Sequence, residues 1–280
     1  MNRLNALAKC LRVAVLVGLL FSGLLMAASA IGFAAAADAP ATQWSQTYGG
    51  TDWDYAECVV QTSDGGYALA GYTASFGAGY SDFWLVKTDA SGTLQWSQNY
   101  GGPGSEWAYC VVQTSDGGYA LAGRTASFGA GFDFWLVKTD ASGTLQWSQN
   151  YGGPGSEWAY CVVQTSDGGY ALAGRTASFG AGFDFWLVKT DASGTLQWSQ
   201  NYGGPGSEWA YCVVQTSDGG YALAGRTASF GAGSNDFWLV KTAPDSLFVV
   251  PESAFGALGT IVACITAMAI IATNKKRQTK

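Results

Sequence analysis

From residue 44 to 242 the hydrophobic positions follow a strand rhythm and never a helical one. One stretch shows the pattern. Apolar and aromatic residues fill four short runs: WAYCVVQT (107–114), GYALAGRT (118–125), DFWLVKT (133–139) and TLQWSQNY (144–151). The first is rich in β-branched and aromatic residues, and the second alternates large and small. The third is apolar nearly throughout, as in a strand buried on both faces. Between the runs stand SDGG, SFGAG and DASG. Their Asp-Gly and Gly-Gly steps supply the positive φ that tight hairpins need. The pattern predicts four antiparallel strands.

The same unit recurs. VVQTSDGGYALAG stands at 59–71, 111–123, 162–174 and 213–225, and Tyr48, Tyr100, Tyr151 and Tyr202 each precede Gly-Gly. A fixed period of about 51 residues means a solenoid, a propeller or an array. Four short antiparallel strands per unit favour an all-β fold, a β-propeller of four four-stranded blades. Copies two to four are almost identical. The first has drifted, with TDWDYAEC in place of PGSEWAYC and Tyr72 where the others carry Arg124, Arg175 and Arg226.

The two ends of the array look complementary. QWSQTYGG (43–50) is a fourth-strand sequence with no unit before it, and the last copy stops at DFWLVKT (236–242) without its fourth strand. The N-terminal run is therefore expected to complete the last blade and close the propeller (43–242) by strand exchange. Closure would remove two exposed sheet edges. A monomeric four-bladed ring is the first expectation, and two chains forming an eight-bladed ring the alternative.

The flanks change the picture from soluble domain to surface protein. Residues 1–37 run from a basic start through an apolar stretch to small residues, the pattern of a signal peptide. An uncleaved signal anchor is the alternative. After a linker (243–253), residues 254–273 are uncharged to Ala272 and long enough for one transmembrane helix. The tail at 274–280 carries Lys275, Lys276 and Arg277, which places it in the cytoplasm. The expected localisation is an exported, cell-surface chain held by a C-terminal span.

Charge narrows the partners. The net charge is −6, yet 7 of the 14 basic residues lie at the two ends and all 20 acidic ones between 38 and 252. So acidic a middle argues against nucleic acid. Cations or neutral ligands suit it better. There is no histidine at all. That excludes Ser-His-Asp and Cys-His catalysis and His-ligated zinc.

Several positions invite a chemical reading. Asp54, Glu106, Glu157 and Glu208 precede the first strand of each unit. In a closed ring they would form a circle of acids able to hold Ca2+ through oxygen ligands. The alternative is a hydrogen-bonded turn carboxylate, with Arg124, Arg175 or Arg226 as partner. Trp107, Trp158 and Trp209 could stack on sugar rings, or pack unit against unit. Asp64, Asp116, Asp167 and Asp218 lack the ligand spacing of a calcium loop and read as turn residues. Cys58, Cys110, Cys161 and Cys212 are expected to be free and buried, since equivalent positions in different blades stand too far apart for a disulfide. A glycosidase needs two acids of different pKa, which near-perfect symmetry does not provide.

Three resemblances add to this. The motifs WSxxYGG, DGGYxLxG and DFWLVKTDxxG over residues 44–242 resemble an uncharacterised repeat family of archaeal and bacterial surface proteins. The likeness implies export and a propeller. DASGTLQW, with Asp89, Gly92 and Trp96, is distantly similar to the docking motif of quinoprotein-type propellers. That likeness implies that Trp44, Trp96, Trp147 and Trp198 pack against a neighbouring blade, and it implies no quinone. Val250, Pro251 and Glu252 before an apolar stretch and a basic finish resemble C-terminal sorting signals, with Ser253-Ala254-Phe255 in place of the usual Phe. The functional expectation is a membrane-anchored binding or adhesion module for a glycan or envelope protein. The alternatives are a purely structural envelope protein and a polysaccharide-acting hydrolase.

Overall fold

In the computed structural model, which describes residues 39–245, each apolar run forms a strand and no helix occurs among the described residues. The chain divides into two units, Met1–Gln43 and Trp44–Lys280. The second holds all fifteen strands. The first sheet contains β1 (Asp54–Gln61), β2 (Tyr67–Thr73), β3 (Asp82–Thr88) and β4 (Leu94–Tyr100). The second contains β5 (Glu106–Gln113), β6 (Tyr119–Thr125), β7 (Asp133–Thr139) and β8 (Leu145–Tyr151). The third contains β9 (Glu157–Gln164), β10 (Tyr170–Thr176), β11 (Asp184–Thr190) and β12 (Leu196–Tyr202). The last has only β13 (Glu208–Gln215), β14 (Tyr221–Thr227) and β15 (Asp236–Lys241). Within each sheet all strand pairings are antiparallel between sequence neighbours, as in a meander, and single parallel bridges such as Ser81 with Ser105 link one sheet to the next. The predicted leader (1–37), membrane span (254–273) and tail (274–280) lie outside the described residues, as does most of the linker.

The sheets stack face to face, and one hydrophobic cluster fills each of the three junctions. In the first junction, Ala68, Ala70, Phe83 and Leu85 of one sheet meet Ala108, Val111, Leu121 and Trp135 of the next. Alternation along DFWLVK explains this two-sided packing. Phe and Leu leave one face of the strand while Trp and Val leave the other. The first strands of successive sheets touch one another, whereas the fourth strands are the most exposed.

The junctions also depend on two glycines per unit. Gly123 faces a bulge in β5, and an added Cβ there would stand 1.9 Å from the Trp107 carbonyl oxygen and 2.8 Å from the Phe83 ring. Gly143 has φ +81°, and an added Cβ there would stand 2.6 Å from the Trp96 ring. Trp96 also meets Tyr119 edge-on at 5.7–5.8 Å, the spacing found again for Trp147 with Tyr170 and Trp198 with Tyr221.

The expected ring closure is not formed. Residues 44–50 belong to no strand, and among the described residues β15 has no partner on its outer edge. The N-terminal run nevertheless docks on the first sheet as β4 docks on the second. Trp44 meets Tyr67 at 5.7 Å, and the Tyr48 hydroxyl donates to the Gly92 carbonyl at 2.5 Å. Tyr100 does the same to Gly143 at 2.6 Å. The run recognises its neighbouring sheet without having a sheet of its own. Side-chain packing on one face and edge pairing on the other are separable, and here only the first is satisfied.

Candidate functional site

The four acids do not line an open mouth. Glu106 is buried, and both its carboxylate oxygens are taken. Oε1 accepts from Thr125 Oγ1 (3.0 Å), Ala126 N (3.2 Å) and Ser127 N (3.1 Å), and Oε2 accepts from Gly102 N (2.9 Å). Glu157 and Glu208 repeat this set one and two units later. Asp54 accepts from Thr73, Ser75 and Gly50. The residues read as a cation circle thus tie the entry of each hairpin to its own exit and to the loop before it. Burial alone would push Glu208 upward, but the hydrogen bonds from Gly204, Ser229, Thr227 and Ala228 outweigh it and its pKa falls below the ordinary value. Among the described residues no cluster of three or more Cys, Asp or Glu is placed to hold a metal ion.

Each glutamate has an acidic companion that the sequence alone did not single out. Asp82, Asp133 and Asp184 open the third strand of the preceding sheet and are buried. An added Cβ on Gly152 would touch both members of a pair, at 2.1 Å from Asp133 Oδ1 and 2.8 Å from Glu157 Oε2. Oδ1 of each of these aspartates has no hydrogen-bond partner. Oδ2 of Asp133 accepts from Asn150 Nδ2 at 3.0 Å. Burial, and then the nearby Glu157, push the Asp133 carboxyl above its usual pKa against the pull of Asn150. Asp82 and Asp184 are raised the same way. Each junction therefore sets two carboxyls side by side, shut away from solvent.

Arg124, expected as the partner of Glu106, stands elsewhere. Its guanidinium lies 4.0 Å from the Trp107 ring centre and 4.1 Å from that of Trp158. Arg175 lies 4.0 Å from Trp158 and 3.9 Å from Trp209, and Arg226 caps Trp209 at 4.0 Å. At the other end Tyr72 stacks on Trp107 at 4.6 Å and on Tyr55 at 4.9 Å. The result is one column of alternating rings and cations running through all four sheets. Trp107, Trp158 and Trp209 have both ring faces occupied, which leaves none for a sugar. A desolvated guanidinium between two indoles is worth about 2 kcal/mol per contact. Tyr72 keeps the column in the first unit, where arginine is absent.

The cysteines correct an expectation about distance. They are free, as the sequence suggests, but not buried as expected: Cys58, Cys110 and Cys161 are half-buried and Cys212 is exposed. They are not far apart, because the first strands of successive sheets touch. Cys58, Cys110 and Cys161 each point Sγ at the valine carbonyl of the next unit, at 3.8 Å. Neighbouring thiols also act on one another, so Cys58 is lowered by the Cys110 thiol, while Cys110 is raised by its two neighbours and by burial. The turn aspartates behave as turn residues with one addition. Asp64, Asp116, Asp167 and Asp218 cap their own hairpins and pair with Lys87, Lys138, Lys189 and Lys241 at 2.7–2.8 Å. Burial raises Asp116, but the Lys138 ammonium, Thr114 and Gly118 bring it down to about 2.

No family model matches this chain, and no match was found among curated proteins. What the geometry does offer is surface at the two ends of the stack. A small apolar pocket on the first sheet is lined by Ala56, Leu69, Gly71, Trp84 and Val86. On the last sheet Phe237 and Leu239 stand in solvent. The alternation in DFWLVK carried the signal for both, since it puts an apolar side chain on each face of every third strand.

Proposed function

We propose that the protein is an exported, membrane-anchored interaction module of the cell envelope, its four sheets being blades of a propeller-type assembly whose last blade is completed by residues 44–48. It works by surface contact. The observation that supports this most directly is a contrast in use. The candidate acids and tryptophans are consumed by internal packing, while large apolar side chains stand exposed at both ends, Trp53 at 73% and Leu239 at 70%. Exposed apolar side chains gathered on one face, as Phe237 and Leu239 are on β15, mark protein–protein contact. The sequence of both flanks supports export and anchoring.

Two measurements test this. Protease added to intact cells making the chain should digest the 44–242 region and spare a small C-terminal fragment protected by the membrane. Complete protection in intact but not broken cells would place the repeats inside and overturn the proposal. A glycan array probed with the full chain, with and without Ca2+, is expected to stay blank. Calcium-dependent binding abolished by Glu157→Gln would restore the acid-ring lectin reading.

A further inference from the structure

Each internal junction is a plug in a socket. Phe83 of the first sheet sits over Gly123 and against Trp135 of the second, with ring centres 4.6 Å apart. Phe134 and Phe185 repeat this with Trp186 and Trp238, again at 4.6 Å. The fourth plug, Phe237, is fully exposed. The matching socket is the small apolar depression around Gly71 and Trp84, and no phenylalanine pairs with Trp84 there from a preceding sheet. Around the socket, Val59 is 60% exposed where Val111, Val162 and Val213 are 1%.

We infer that the protein associates head to tail with a second copy of itself, Phe237 of one chain entering the Gly71–Trp84 socket of the next. This rests on the proposed completion of the last sheet and names what completes it. The junction's geometry is already drawn three times within the chain. By the register of β3 with β4, where Phe83 faces Tyr100 and Lys87 faces Trp96, residues 44–48 of the second copy pair with β15 so that Tyr48 faces Phe237 and Trp44 faces Lys241. Thr47 then falls where Asn150 and Asn201 donate to the buried aspartates, and its hydroxyl can donate to Asp236. Arg226, the last cation of the column, meets Tyr55, which occupies the place of Trp107 in the first unit.

A second copy fits better than the chain's own other end. Three junctions with the same 4.6 Å plug contact are complete, and the ends still do not meet. Closing within one chain would bend all three, whereas a second copy adds a fourth junction and disturbs none. The front and back faces differ, so the contact is heterologous, and its rotation per copy decides between a ring and a filament.

The test uses the full chain in detergent and measures its mass by light scattering. Wild type is expected at two or more chains. Phe237→Ser removes the plug and Val59→Lys charges the socket rim, and each should run as a single chain, with association weakened at least about 100-fold. Both positions are exposed in the single chain, so neither variant should lose folding stability. Mixing the two should give a dimer and stop there, because each retains one good end. Wild type that is a single chain at every concentration, or variants that keep the wild-type mass, would overturn the inference. A single chain in which Phe237 is shielded from solvent would show closure on itself instead. Surface exposure of the repeats in intact cells is read separately, so failure of association leaves that question standing.

Discussion

The second and third sheets and the two end sheets are built from nearly the same residues and lead different lives. Phe185 is wholly buried and Phe237 wholly exposed, yet each is the second residue of the same DFWLVK strand. Lys189 is 1% exposed in its ion pair, and Lys241, in the same pair one unit later, is 44% exposed. The difference lies in the neighbour. A repeat sequence specifies two sticky faces, and the number of neighbours decides how many of them are buried.

The sharpest way to break this comparison is to truncate the plug at both places. Phe134→Ala should cost about 3–5 kcal/mol, the usual loss for an aromatic in a core. Phe237→Ala in the dissociated chain should stay within about 0.5 kcal/mol. Urea unfolding of both proteins reads the contrast, and equal losses would mean that Phe237 is buried in solution. The lysines give a smaller contrast. Lys189→Ala leaves Asp167 without its cation in a mostly buried site and should cost about 2–3 kcal/mol. Lys241→Ala, at the exposed end, should cost under about 1 kcal/mol.

The smallest expected effect is on pH dependence. The Asp133 carboxyl is raised, chiefly by burial and also by Glu157. The folded protein therefore holds a proton that the unfolded chain, with a carboxyl near 3.9, has released. Stability from that proton is full below about pH 4 and is lost as pH rises through the raised value. The turn aspartates oppose it. Asp116 is lowered to about 2, so its contribution is present above about pH 4 and fades only as pH falls toward 2. Asp133→Asn should raise the melting temperature near pH 7 by about 2–4 °C, what about 1 kcal/mol moves in a domain of this size. It should also flatten the decline between pH 4 and pH 7. A scan of melting temperature against pH that is unchanged by the substitution would show that folding does not raise the Asp133 carboxyl.

Much of the fold was legible in the residues. The third-strand run was placed at 133–139, where β7 lies, and the other runs began within one residue of their strands. Local chemistry sufficed there, because alternation and Asp-Gly turns act over a few residues. Less of the site was legible. Glu106 stood out as a repeated acid, but its burial and its companion Asp82 depend on the previous sheet, and its bonds to Thr125 and Ser127 on the closing of its own hairpin. Arg124 had no visible reason to choose two indoles over a carboxylate until the stacking put Trp158 on its far side.

The sequence by itself determined the strands, their turns, the period and the two apolar faces of each unit. These follow from backbone sterics and from alternation within single strands. Only the tertiary structure decided the rest: that first strands meet and bring the cysteines together, that carboxylates pair across junctions, and that the last phenylalanine finds no socket in its own chain. Those outcomes depend on the rotation between sheets. That angle is set by many packed side chains acting together across each junction, and no single stretch of the chain encodes it.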